Sequence, residues 1–227
     1  MARKATLSQS DWKSIDAILL DMDGTLLDLS FDNRFWKTEV PSVYAKNKGM
    51  TLEESLEFLG RCYKDYSGTL NWYCTDFWAE KLGFDIIEHK TKLAHQVSVR
   101  PGTLEFLEKI HASSKDVYLV TNAHPETLRV KLEQTRIEQY FDKLYTSHQF
   151  HQPKESPSFW SQLEEDMAIP LSKCLFIDDT ESILMQAQHS GVKHIAIIEQ
   201  PDSSLPPKTY KELPSINYLD ELLENFE

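Results

Sequence analysis

Apolar residues along this chain gather into four short, nearly continuous runs separated by stretches with helical spacing. The runs are Ala17-Ile18-Leu19-Leu20, Val117-Tyr118-Leu119-Val120, Cys174-Leu175-Phe176-Ile177 and His194-Ile195-Ala196-Ile197-Ile198, with Lys143-Leu144-Tyr145-Thr146 a weaker candidate. Runs that do not alternate apolar with polar residues suit strands covered on both faces. Between them, residues 103–111 follow Pro101-Gly102, residues 126–135 carry Leu128 and Leu132, residues 158–167 follow Pro157, and residues 182–190 stop at Gly191. Proline suits a first helical turn and glycine the position just past a helix. This alternation predicts an α/β fold, a doubly wound parallel sheet with helices on both faces.

Residues 28–98 break the rhythm. They contain no convincing strand, are dense in large aromatics, and space Leu52, Leu56, Leu59 and Tyr63 as an amphipathic helix does. The stretch is too long for a simple connection. It predicts a helical cap, residues 28–98, inserted after the first strand of a core made from residues 1–27 and 99–227. Most of its aromatics are expected to form the cap's own core. The tail after Gln200 is rich in Pro and Ser and then offers a short helix at 217–225.

The first run ends in Asp21-Met22-Asp23-Gly24-Thr25. Residues two apart in a strand share a face, roughly 6.5–7 Å apart along the chain. Both acids therefore project from the C-terminal edge, where open α/β sheets place their ligands. Carboxylates this close favour a divalent cation, because like charges so near do not otherwise both stay ionised. The alternative is an Asp-x-Asp-Gly surface turn. Other strand ends add Thr121-Asn122 and Asp178-Asp179, and Lys154 lies in the loop Gln152-Pro153-Lys154-Glu155. Acids, a hydroxyl, an amide and a lysine thus fall on one rim.

Charge narrows the partners. The 227 residues carry a formal net charge of −12, with a sequence pI near 5.1. That balance disfavours a nucleic-acid polymer, which needs a basic surplus. A small anionic substrate fits if local cations reverse the sign inside the site. The cysteines, Cys62, Cys74 and Cys174, are odd in number and lack metal-ligand spacing. Cys174 reads as a small buried hydrophobe, and a Cys62–Cys74 disulfide is the weaker option. No apolar run approaches the ~18 residues of a membrane span, and no signal segment is evident. The expectation is a reduced, cytoplasmic protein with no membrane partner, a monomer or weak homo-oligomer. Neither a P-loop nor a dinucleotide fingerprint occurs.

With these motifs in order, the chain resembles the haloacid dehalogenase superfamily of phosphohydrolases. Residues 29–36 (LSFDNRFW), 69–74 (TLNWYC) and 121–125 (TNAHP), with Pro153 to Glu155 and Phe159-Trp160, resemble its GMP/IMP nucleotidase subgroup. The resemblance implies a Mg²⁺-dependent phosphomonoesterase acting on purine nucleoside 5′-monophosphates through an aspartyl-phosphate. Asp21 would be the nucleophile and Asp23 the general acid and base. Asp21, Asp178 and Asp179 would ligate Mg²⁺, joined by the backbone carbonyl of Asp23. Thr121 and Lys154 would hold the phosphoryl group, with main-chain N–H groups near Gly24 and Asn122. Asp32, Asn33, Asn71, Trp72 and Tyr73 are the cap's candidates for reading the base, and His124 either touches substrate or caps a helix. The cap would hinge near Leu27-Asp28 and Val99-Arg100. A phosphatase acting on a small sugar phosphate or phosphoglycolate is the main alternative. A phosphoacceptor or binding module is a further one.

Overall fold

The structure is a computed structural model and describes residues 4–226. The apolar runs form strands β1 (Ala17–Leu20), β2 (Asp116–Thr121), β3 (Lys143–Thr146), β4 (Cys174–Asp178) and β5 (His194–Ile198), and the tail adds β6 (Ser215–Ile216). Among the described residues they make a six-stranded sheet, ordered β3-β2-β1-β4-β5-β6, with every pairing parallel. Connections run outward from β1 through β2 to β3, then return to β4 on the other side of β1. The crevice between β1 and β4 is therefore where the winding reverses, the ligand-binding position of such sheets.

Strands β1, β2, β4 and β5 are buried on both faces, and their residues divide between two cores. Ile18, Leu20, Val117, Leu119, Leu175 and Ile177 face one cluster, which includes Phe106 and Leu107 of α8 (Thr103–His111) and Leu128 and Leu132 of α9 (Pro125–Thr135). Ala17, Leu19, Tyr118, Val120 and Phe176 face the other, with Phe159 and Trp160 of α10 (Pro157–Met167) and Leu184 of α11 (Glu181–His189). The period-two alternation of a strand makes this division, and non-alternating apolar runs are its signature.

Two elements lie outside the sequence expectation. The helix α1 (Gln9–Ser14) starts with a capping box between Ser8 and Asp11 and buries Trp12. β6 is two residues long and follows Pro214 at the sheet edge, a place where proline is tolerated. The expected C-terminal helix is a 3₁₀ segment, Leu219–Asn225.

Residues between β1 and α8 fold as helices α2 (Ser30–Arg34), α3 (Val40–Lys48), α4 (Leu52–Tyr66), α5 (Leu70–Tyr73), α6 (Thr75–Leu82) and α7 (Ile86–Leu93), with a π-helical turn at Phe35–Glu39. They bury Phe35, Tyr44, Leu59, Trp78 and Leu82 in a third apolar cluster. The chain leaves and rejoins the core side by side: Leu27 and Val99 form an antiparallel bridge. The Asp28 N–H donates to Ser98 O at 2.9 Å, and the Arg100 N–H donates to Leu26 O at 2.9 Å. All three cysteines are free, so Cys62 and Cys74 are not joined; Cys62 packs in the third cluster while Cys74 starts α6. Among the described residues no helix is long and apolar enough to cross a membrane.

Candidate active site

The parallel ladder sets the acids side by side. Leu20 pairs with Ile177, and the next amide, that of Asp21, donates to Ile177 O at 3.0 Å. Asp21 thereby sits level with Asp178 at the end of β4. The turn beyond it depends on Gly24, whose φ of 92° is a conformation L side chains avoid. A Cβ on Gly24 would lie 2.7 Å from the Asp179 carboxyl, so the missing side chain admits that acid to the site.

Lys154 ties the acids together. Its ammonium donates to Asp21 Oδ1 and Asp178 Oδ2, both at 2.6 Å, and to Val120 O at 3.1 Å. An ammonium has three N–H donors, and all three are used. Lys154 is 1 % exposed and lies 5.4 Å from the centre of the Phe176 ring. Its loop is fixed by its own N–H donating to Asn122 Oδ1 at 2.9 Å and by Trp160 Nε1 donating to Lys154 O at 2.8 Å. Burial, outweighed by Asp178 and Asp21, leaves the ammonium held above its ordinary range. The carboxyls respond to crowding. Burial pushes Asp21 well above the usual carboxylate range, with Lys154 opposing and Asp178 and Asp179 reinforcing. Burial and the Asp178 charge push Asp179 up to about 7.

Asp23 faces a different cation. Lys131 Nζ donates to Asp23 Oδ1 at 2.6 Å and also to Asp32 Oδ2, while Lys90 Nζ donates to Asp32 Oδ1 at 2.7 Å. Both lysines are buried, and Lys90 lies 4.9 Å from the centre of the Phe35 ring. Burial raises the Asp23 carboxyl above its ordinary range against the pull of Lys131. Asp32, between two ammonium groups, is held far below the carboxylate range despite its burial.

Several expected site residues come together here. Asp21, Asp23, Thr121, Asn122, Lys154, Asp178, Asp179 and Trp72 all line one cavity of about 340 Å³, within the roughly 300–1,000 Å³ of small-molecule sites. Several of the candidates make further contacts that the sequence does not mark. The Asp23 side chain is outside the group of ligand oxygens formed by Asp21, Asp178 and Asp179, because Lys131 holds it elsewhere. The Asn122 amide is committed to scaffolding, accepting from Lys154 and donating to Glu155 Oε2 at 3.1 Å. Asn71 is exposed and absent from the cavity wall, since the four-residue α5 turns Trp72 and Tyr73 inward instead. Asp32, Asn33 and Tyr73 also line the cavity; Asp32 pairs with both lysines, and Asn33 Nδ2 donates to Asp202 Oδ2 at 2.7 Å. His124 caps α9, its Nδ1 accepting from the Glu126 N–H at 3.4 Å.

Lys131, Lys90 and Glu155 join the site from outside the strand-end positions. The two lysines carry a signal: Lys131 interrupts the apolar face of α9 three residues after Leu128, and Lys90 sits four after the buried Ile86 in α7. A cation on a buried stripe needs a counter-charge. Glu155 has no such mark; its role shows only in space, where Oε1 accepts from the Tyr73 hydroxyl at 2.6 Å.

One oxygen from each of Asp21, Asp178 and Asp179 lies within 4.8 Å of the others. Hard oxygen donors crowded this closely fit a small divalent cation. The comparison to known proteins bears on the family and the fold. A family model for haloacid dehalogenase-like hydrolases matches residues 15–189. The chain belongs to this family. It is 42% identical over 206 residues to the GMP/IMP nucleotidase YrfG of Escherichia coli, covering 91% of this chain and 93% of that one. Against a phosphoglycolate phosphatase of Pseudomonas fluorescens the identity is 23% over 186 residues, covering 79% and 68%. A solved haloacid dehalogenase-type phosphatase from Thermococcus onnurineus superimposes with a TM-score of 0.76 at 22% identity, covering 92% and 97% of the two chains. That likeness bears on the fold. The chain is a hydrolase of this family.

Proposed function

We propose that this hydrolase is a Mg²⁺-dependent phosphomonoesterase that acts on purine nucleoside 5′-monophosphates, GMP and IMP above all. The observation that carries the reading is the convergence of Asp21, Asp178 and Asp179 on one point beside Lys154, in a chain 42% identical to a GMP/IMP nucleotidase. Mg²⁺, held by those three carboxylates, would neutralise charge between the nucleophile and the phosphate dianion.

In this reading an Asp21 oxygen attacks phosphorus, an aspartyl-phosphate forms, and the ester P–O bond breaks. The leaving ribose oxygen takes a proton from the Asp23 carboxyl. Asp23, now a carboxylate, accepts a proton from the water that attacks phosphorus and releases the Asp21 carboxylate. Lys154 keeps Asp21 and Asp178 aligned. The Thr121 hydroxyl already accepts from the Ala123 N–H at 3.0 Å, which leaves its proton for a phosphoryl oxygen.

Residues 28–98 work as a cap hinged at Leu27–Asp28 and Val99–Arg100, closing to exclude water. Trp36, Tyr63 and Trp72 in the cavity wall are the aromatic faces available to a purine. Lys37, also in that wall, is the donor suited to the O6 and N7 acceptors that guanine and hypoxanthine share. The test is phosphate release from GMP, IMP, AMP, phosphoglycolate and sugar phosphates, with Mg²⁺ and with chelator. GMP and IMP should lead, and chelation should stop turnover. Fastest release from phosphoglycolate would overturn the substrate, and no release from any ester would overturn the phosphatase reading.

A further inference from the structure

A second group of metal-ligating side chains lies beside the candidate active site. Cys74 is the N-cap of α6, His124 the N-cap of α9, and His148 follows β3 by two residues. Each offers one ligand atom, and the three atoms lie within 4.8 Å of one another. The two imidazoles meet edge to face with centroids 4.8 Å apart.

His148 carries the decisive detail. The Ser147 hydroxyl donates its proton to Asn122 O at 3.0 Å, so in its 3.4 Å contact with His148 Nδ1 it accepts. The ring proton therefore sits on Nδ1 and the lone pair on Nε2. That Nε2 is closed off from solvent and has no hydrogen-bond partner among the described residues. Buried acceptors are normally satisfied, and an N–H bonded to an oxygen on the far side is the usual orientation of a metal-bound histidine.

We propose that Cys74, His124 and His148 form a second cation site, selective for a borderline-soft transition metal such as Zn²⁺. One thiolate with two imidazoles is a Zn²⁺ donor set and a poor one for Mg²⁺. Zinc bonds of about 2.3 Å to sulfur and 2.0–2.1 Å to nitrogen require the three ligand atoms to draw somewhat closer. Binding through His124 Nε2 moves that ring's proton to Nδ1 and gives up only the long cap contact to Glu126. The Asp76 carboxylate lies 3.7 Å from His124 Nε2, outside the group of three ligand atoms. Cys74 comes from the helical layer, and His124 and His148 from the sheet rim. A bound ion would therefore pin one to the other. This inference stands on side-chain placement and is independent of the phosphatase reading.

The test uses the full chain, freed of metal and then saturated with Mg²⁺, titrated with Co²⁺ as a spectroscopic substitute for Zn²⁺. A thiolate-to-cobalt charge-transfer band should grow to one equivalent per chain and vanish on adding Zn²⁺. Cys74→Ser should abolish the band, His148→Gln should weaken Co²⁺ binding about tenfold or more, and Cys62→Ser should leave it unchanged. Serine is itself a good N-cap, so the Cys74 variant is expected to fold. No charge-transfer band in the unmodified protein, or a full band in Cys74→Ser, would overturn the site.

Discussion

Lys131 Nζ lies 2.6 Å from Asp23 Oδ1 and is buried to 1 % of its side-chain surface. The carboxyl assigned to proton transfer is thus tethered to α9 and shares its cation with Asp32. Lys131 favours the ionised form of Asp23 and opposes the burial that raises it. Replacing Lys131 by Met should shift the Asp23 affinity further upward. An acid that must start protonated then stays competent to higher pH, so the alkaline limb of the pH–rate profile should move up. A variant whose alkaline limb stays put contradicts the pairing as the tuning interaction.

Leaving-group dependence separates Asp23 from Asp21. Asp21→Asn should end turnover of every ester while circular dichroism stays native. Asp23→Asn should slow release of a ribose by about 10²–10⁴-fold, the usual worth of a positioned acid. Release of p-nitrophenol, which leaves without protonation, should fall far less. Equal losses for both esters would remove Asp23 from the acid role.

Asp32 should matter to stability more than to chemistry. It is the shared counter-charge of two buried lysines, and breaking such an arrangement costs about 3–5 kcal/mol. Because its folded carboxyl affinity is depressed, its contribution is complete above the unfolded value near pH 4 and fades as pH falls below it. The melting-temperature gap between wild type and Asp32→Asn should hold steady from pH 8 to about 5 and narrow below about 4. A gap that widens in acid would reverse the assignment.

Gly24→Ala tests the approach of Asp179. The backbone at φ 92° would be strained with any side chain, by on the order of 1–3 kcal/mol. The added Cβ would also displace the Asp179 carboxyl. Activity should demand more Mg²⁺ for half-saturation, beyond a lowered melting temperature. Unchanged Mg²⁺ dependence would show that Asp179 tolerates the displacement.

Tyr73 should act as a latch. Its hydroxyl donates to Glu155, which also accepts from Asn122, whose amide oxygen in turn accepts from the Lys154 N–H. A hydrogen bond to a charged group is worth about 1.5–3 kcal/mol. Tyr73→Phe should therefore weaken substrate affinity about tenfold or more, read as a raised KM. A KM equal to wild type would mean the contact does not hold the closed state.

The sheet was legible because β1, β2, β4 and β5 are each covered on both sides, which leaves an unbroken apolar run and an acid or threonine where cover ends. β6 was not, since a two-residue edge strand after Pro214 has no pattern to display. At the site, strand-end residues were visible because their chemistry sits at element boundaries. Asp32 and Asn33 line the cavity and also carry partners that the sequence does not mark. Their partners, Lys90, Lys131 and Asp202, are remote along the chain, and nothing local marks a carboxylate or amide as already engaged. Asn71 and Trp72 are adjacent in sequence yet point to solvent and to the cavity, a distinction that depends on how a single helical turn is seated.

The Leu27–Val99 bridge has an evolutionary corollary. Because the departing and returning backbones are zipped together at one spot, the entropy of closing that loop is settled at the base and depends little on what is spliced beyond it. The segment between Leu27 and Val99 is thus free to be lengthened, shortened or exchanged while the sheet beneath it keeps its register.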